Sequence, residues 1–380
     1  MSRRAAGAAA LLACAGLIAG CASHPARATG AGPPLTAPLS PPLSTSLATA
    51  QGTWAVAVMG GPDADNKFWQ LFFRPVTGGR WSLVTPQGVA DNGGLVAAGG
   101  GAYLVVGFRP SQNLAFSPLA TSTDTGRNWT PGLLDAGLAD TPGAIAVGPS
   151  GRTLALLQDG TVEAAPTAGA AAAGRWAPLT TLKALAASAP GRACGLEGVT
   201  AVSFGPDGSP MAAGSCARPG PAGVFTAVGG TWRSAGLVLP AGGRARVLGL
   251  TAIAGGTVAL LAASRPGGTS LFAAWWNGTR WTVSAPVTAD GVRAFGFGPD
   301  GSAWLLPGHG RPEAVAGAAS SAWRPLPPVP PETGTLAPGA GGSFDALAVA
   351  GSRLTVWRLG RGAWARVQQV TVPIQVGSSG

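Results

Sequence analysis

The chain has 380 residues, of which 46% are hydrophobic and only 11% charged, and its 25 Lys and Arg against 15 Asp and Glu give a formal net charge of +10. Almost every cation is Arg, Lys67 and Lys183 being the lysines, and none form the K/R-rich run that marks a nucleic-acid patch, which excludes nucleic acid as a partner. The 61 Gly and 34 Pro follow no collagen period. They punctuate short Val, Ala, Leu and Phe runs, which excludes long helices beyond the N-terminus and predicts an all-β chain with many turns.

Residues 1–20 read as a targeting segment. Arg3 and Arg4 make its charged n-region, and Ala5 to Ile18 make an apolar run too short to span a membrane. The run ends in Leu17-Ile18-Ala19-Gly20-Cys21, which resembles a bacterial lipobox. That resemblance implies that Cys21 is diacylated, becomes the new N-terminus and anchors the chain to the membrane on the extracytoplasmic side. An ordinary secretory peptide with an incidental cysteine is the alternative. Ser2-Arg3-Arg4 also partly resembles a twin-arginine signal, which leaves the export route open.

Residues 21–50 are rich in Pro, Ala, Ser and Thr, with almost no charge after Arg27. Such a stretch cannot bury a core and is expected to be a disordered tether between lipid and folded domain, or a processed or glycosylated stalk. The folded domain is expected over 51–380.

Within that domain one element recurs. A small residue or two, then Trp, then a short apolar strand appears at Trp81, Trp129, Trp176, Trp232, Trp281, Trp323 and Trp364, in steps of 48, 47, 56, 49, 42 and 41 residues. A period of 40–50 residues is the mark of propeller blades with four strands each, and seven copies predict a seven-bladed β-propeller of four-stranded antiparallel blades. The second copy reads Ser122-Thr123-Asp124-Thr125-Gly126-Arg127-Asn128-Trp129. This S-x-D-x-G-x-x-W pattern resembles the Asp-box (BNR) repeat of sialidase-like β-propellers. Ser122 and Asp124 can bond amides of a tight turn, Gly126 can take positive φ, and Trp129 can plug the blade. By that resemblance these residues are structural, since the box lies at outer hairpins away from the active face.

A second repeat lies upstream of the Trp. Gly148-Pro149-Ser150-Gly151, Gly205-Pro206-Asp207-Gly208 and Gly298-Pro299-Asp300-Gly301 precede Trp176, Trp232 and Trp323 by 28, 27 and 25 residues. Pro second and Gly fourth suit a type I turn between first and second strands. By this template the first blade, opening at Trp54, lacks a strand. Val370-Thr371-Val372-Pro373-Ile374 is expected to close the ring by filling it.

Of the four cysteines, Cys14 leaves with the leader and Cys21 carries lipid. Cys194 lies before the first strand of the fourth blade and Cys216 at the end of its second. The hairpin brings them together, and an exported compartment permits a disulfide. Two free thiols are the alternative. With His24 and His309 as the only histidines, no metal site is expected. Asp63-Ala64-Asp65-Asn66 slightly resembles a calcium loop but lacks further acidic ligands, so a solvated hairpin is expected.

The sialidase resemblance implies three arginines on a substrate carboxylate, a Tyr–Glu nucleophile and an Asp acid/base. Phe73-Arg74-Pro75 lacks the middle residue of the family's Arg-Ile-Pro, and the single tyrosine, Tyr103, sits in the apolar run Ala102 to Val106. No G-x-S-x-G elbow, Walker loop or HExxH helix appears. No catalytic residue and no cofactor are assigned. The loop between second and third strands carries Arg-Pro in four blades, at Arg109, Arg218, Arg265 and Arg311, with His309 beside the last. Equivalent loops share one propeller face, so four guanidiniums could form an anion-binding surface. A copied turn dipeptide is the alternative. The sequence therefore predicts a lipid-anchored monomer acting as a non-catalytic binding or scaffolding module for envelope protein or anionic glycan. The alternative is a sialidase-like glycan hydrolase, for which Glu313 and Asp290 are the acids nearest that face.

Overall fold

The structure, a computed structural model, describes residues 45–60, 67–87, 93–108, 116–240, 243–265, 268–318, 320–339 and 342–373. All of them belong to one compact unit, Leu35–Gly380. Cys21, the calcium-like loop at 63–66, Arg109 and Ile374 lie outside the described residues.

The fold is all-β. The first sheet runs Thr45–Ala48, Gly52–Gly60, Lys67–Pro75, Ser82–Leu83, and the second Gly93–Gly99, Ala102–Phe108, Ser117–Ser122, Thr130–Leu134. The third runs Ile145–Val147, Thr153–Leu156, Val162–Ala165, Ala177–Thr180. A nine-stranded sheet follows. Leu196–Phe204, Pro210–Cys216, Gly223–Val228 and Thr231–Ser234 meet Arg244–Ile253, Gly256–Arg265, Gly268–Trp276 and Trp281–Val283 through one residue pair, Ser215 with Arg246, and Val287–Thr288 adds a short edge. Two four-stranded sheets complete the chain: Val292–Phe297, Ala303–Pro307, Glu313–Val315, Arg324–Pro325, then Thr333–Pro338, Phe344–Ala350, Arg353–Leu359, Trp364–Thr371. Every pairing between these strands is antiparallel, and each recurring Trp opens or immediately precedes a fourth strand.

The inner strands bury both faces, while fourth strands such as Ser82–Leu83 and Arg324–Pro325 are exposed, and alternation divides the buried side chains between two neighbours. Trp54 and Val56 point into the core shared with the second sheet, while Ala55 and Ala57 point into the core shared with the last. The innermost strands touch where a side chain is missing. A Cβ on Gly143 would stand 2.6 Å from that of Ala201, and one on Gly99 only 2.2 Å from the Val147 carbonyl oxygen. Hydroxyls tie the same strands together: Thr200 donates to the Val247 carbonyl at 2.6 Å and Ser46 to that of Leu336 at 2.6 Å. The expected Gly-Pro turns form, with Gly151, Gly208 and Gly301 donating back to Gly148, Gly205 and Gly298 at 2.9, 3.0 and 3.0 Å. The three helices among the described residues are one or two turns long and start at Thr167, Thr181 and Ser188, whose hydroxyls accept from the amides of Ala170, Ala184 and Gly191.

Ring closure differs from the sequence expectation. The first sheet has its own first strand, Thr45–Ala48, from a stretch the composition assigns to the tether. Val370 stays in the last sheet, paired with Leu354. The physical reason is alternation: Thr-Ser-Leu-Ala is short but lays Leu47 on the core beside Trp54, and the polar count over 21–50 hides it.

Candidate functional site

The stretch from Ser122 to Trp129 folds as a tight turn held by its own side chains. The Ser122 hydroxyl donates to Asp124 at 2.8 Å and accepts from the Gly126 amide at 3.0 Å. Asp124 also accepts from the amide and side chain of Asn128 at 2.9 and 2.6 Å. These donors, Asn128 first and then Ser122, hold the Asp124 carboxyl down at about 2. Gly126 has φ of 82° and Thr125 61°, so a β-branched residue shares the left-handed corner. The Trp129 indole N–H donates to the Val84 carbonyl, just past the fourth strand of the preceding sheet, at 2.9 Å. The same bond recurs from Trp281 to Ala235 at 2.9 Å, from Trp323 to Ala285 at 3.1 Å and from Trp364 to Pro327 at 3.3 Å. In these four repeats the Trp is a hydrogen-bonded joint to the end of the preceding fourth strand as well as an apolar plug, whereas Trp176 donates locally to the Ala171 carbonyl at 3.1 Å.

At the seam between first and last sheets the joint changes. Trp81 donates to the Asp345 carboxylate at 2.9 Å rather than to a carbonyl. Asp345 is 1% exposed and also takes Arg74 Nη1 at 2.7 Å and Arg358 Nε at 2.8 Å. Gln368 stands in for a strand, accepting from the Trp81 amide and donating to its carbonyl, both at 2.8 Å. The Arg74 guanidinium lies over the Trp81 ring, 5.4 Å from its centroid. Burial lowers the proton affinity of Arg74; Asp345 opposes this and Arg358 adds to it. Arg74 is thus a seam residue. The pairing partners of this cluster escape sequence reasoning, although one signal exists: Asp345 is a lone acid in the apolar strand Phe344–Ala350.

The innermost strands border a cavity of about 110 Å³, next to another of about 360 Å³ with which it shares Ser46, Leu47 and Ala98 in its walls. The first is lined by small and apolar residues including Leu95, Ala97, Ile145, Leu250 and Phe295, with Thr45, Ser46, Ser203 and Thr251 as polar members. Tyr103 borders the second. It is 3% exposed, its ring lies 4.7 Å from that of Trp54, and burial pushes its hydroxyl up. Tyr103 is a packing residue, as its apolar run predicts.

Of the loop arginines, Arg218 and Arg311 are exposed, as is His309, and all three sit between second and third strands. Arg218 donates to the Ala193 carbonyl at 3.3 Å. Arg265 closes the strand Gly256–Arg265, and its side chain lies outside the described residues. Glu313 is half-buried with its carboxyl pushed up by burial. Among the described residues no hydrogen bond or ion pair joins it to Asp290. Cys194 ends the helix Ala189–Cys194 and is disulfide-bonded to Cys216, with Cα atoms 5.3 Å apart. Among the described residues no cluster of three His, Cys, Asp or Glu could hold a metal, and no helix is long and apolar enough to cross a membrane.

Antiparallel sheets packed face to face in succession, with the last returning to the first, make a β-propeller. Solved structures of similar fold match most of the chain. The chain is similar to a candidate 6-phosphogluconolactonase from Bacteroides uniformis, with TM-score 0.51 and 15% identity over 85% of this chain and 98% of that one. A protein from Lactobacillus plantarum gives TM-score 0.52 and 14% identity over 85% and 97%. The β-propeller domain of the Trilobed protease from Pyrococcus furiosus gives 0.47 and 6% over 86% and 95%. At such identities the likeness is of fold alone. No protein-family description matches the chain, and no curated protein does.

Proposed function

We propose that this chain is a seven-bladed β-propeller of the Asp-box type, counting the nine-stranded sheet as two blades, and that it serves as a non-catalytic binding or scaffolding module. In this reading the lipid on Cys21 anchors it to the extracytoplasmic side of the membrane, and the Arg-Pro loops present Arg109, Arg218, Arg265 and Arg311 to anionic glycan or envelope protein. One observation carries the non-catalytic reading: none of the described residues lining the innermost cavity has an ionisable side chain. Hydrolysis of a glycoside or a lactone needs proton carriers or an activated nucleophile within hydrogen-bond reach of the substrate. Ser46 directs its hydroxyl to a backbone carbonyl, and His309 sits in an exposed outer loop. Supporting the binding surface, Arg218 and Arg311 are exposed and make no ion pair among the described residues.

The test presents the full chain, and a variant with the four loop arginines changed to Ala, to sulfated and carboxylated glycans. Salt-sensitive retention of the natural chain, lost in the variant, is the expected result. Equal retention of both removes the arginine surface, and release of product from any glycan overturns the non-catalytic reading.

A further inference from the structure

On the face opposite the Arg-Pro loops, the seam opens into a cavity of about 220 Å³. Its walls come from the first turns of the first and last sheets, with Thr49, Gly52 and Thr53 on one side and Pro338, Gly339 and Ser343 on the other, and Val76 at the rim. Arg74 and Arg358 both line it, and among the described lining residues there is no acid. It shares Ala48, Thr49 and Pro299 with the channel mouth, and the exposed Val76 and half-exposed Arg358 in its walls open it to solvent.

The charge in this place does not balance. Two guanidiniums face one carboxylate, and the side chains of Arg74 and Asp345 are 8% and 1% exposed. Arg74 spends Nη1 on Asp345 and reaches the Pro338 carbonyl only at 3.4 Å with Nη2. Its Nε is buried with no hydrogen-bond partner. A buried, charged donor without an acceptor is costly, and the groups acting electrostatically on Arg74 are Asp345, which helps it, and Arg358, which opposes it. An anion in the cavity would neutralise the excess charge. The space exceeds that of several waters, each taking about 30 Å³ in the liquid, so a compact ligand fits with part of its hydration.

We infer that this seam cavity is a binding site for a compact oxyanion of the phosphate or carboxylate class, held by Arg74 and Arg358. Guanidinium forks match both headgroups. Because Arg74 belongs to the first sheet and Arg358 to the last, the bound anion ties the two ends of the chain together. Its occupancy therefore stabilises the closed ring as any ligand that binds only the folded state does.

The experiment is thermal unfolding of the full chain in sodium phosphate, sodium acetate or sodium chloride at matched ionic strength, with calorimetric titration of phosphate in parallel. The expected result is a rise in Tm with phosphate or acetate over chloride, and one phosphate bound per chain. The phosphate and acetate arms decide which headgroup is preferred. Two variants localise the effect. Arg358→Gln removes the half-exposed guanidinium. Val76→Glu, at an exposed rim position, places a tethered carboxylate at the cavity and keeps both arginines. Val76→Glu is expected to unfold at or above the Tm of the natural chain in chloride and to lose most of the response to phosphate, and Arg358→Gln to lose it as well. No Tm difference between the three salts overturns the inference. So does a phosphate response that persists in Val76→Glu, or one that disappears instead on changing Arg218 and Arg311 to Ala, which would assign the anion to the opposite face.

Discussion

The Trp81 indole donates to Asp345 across 2.9 Å, where the equivalent tryptophans 129, 281, 323 and 364 donate to backbone carbonyls. A bond to a buried charged acceptor contributes more than one to a neutral carbonyl, roughly 1.5–3 against 0.5–1.5 kcal/mol. Trp81→Phe is therefore expected to lower the urea midpoint more than Trp129→Phe, by a difference on the order of 1 kcal/mol in unfolding free energy. Equal losses would mean that the carboxylate gains nothing from the indole.

The turn around Asp124 responds to pH in a definite direction. The Asp124 carboxyl is held at about 2, below the ordinary 3.8, by Asn128 and Ser122. A depressed folded value means that its contribution is fully present above the unfolded value and is lost as pH falls through the folded one. The Tm gap between the natural chain and Asp124→Asn is thus expected to stay constant down to about pH 4 and to close towards about pH 2. A gap that is unchanged over that range would show that the charge on Asp124 has no part in fixing the turn.

Cys194 and Cys216 close a loop with a sequence separation of 22. Cross-links of that length stabilise by about 3 kcal/mol in the chain-entropy account. The Cys194→Ala, Cys216→Ala double variant is expected to fold with a lower urea midpoint and a larger m-value, because the denatured chain without the cross-link expands and exposes more surface. Thiol labelling of the denatured, unreduced natural chain is expected to find neither cysteine free.

Close approach replaces side chains inside the ring. A Cβ on Gly94 would lie 2.7 Å from the ring of Trp69, which is fully buried. Gly94→Ala is expected to cost about 2 kcal/mol through overpacking, read as a lower Tm with strand content by circular dichroism intact. An unchanged Tm would show that Trp69 can move aside.

The repeat was legible because each Trp opens a fourth strand after a turn that only small residues make easily. The Gly-Pro turns and the cysteine hairpin were legible for the same reason, since both are local. Thr45–Ala48 was not, because four residues with one Leu carry too short an alternation to stand out from a Pro-rich neighbourhood. Nor was the seam: Arg74 and Asp345 are 271 positions apart and meet only once the ring closes. The sequence offers one oddity, the acid Asp345 in a strand otherwise apolar, but no local pattern says that it pairs with Arg74.

Closure of the ring by this buried polar clasp, rather than by strand exchange between the termini, is tested most directly by a double-mutant cycle. Urea unfolding of Arg74→Met, Asp345→Leu and the double variant measures the coupling across the seam. Each single change strands buried charge and is expected to cost roughly 3–5 kcal/mol, while the double variant is expected to cost far less than the sum. Costs that simply add would contradict the account, because the first and last sheets would then be held together by their apolar faces alone.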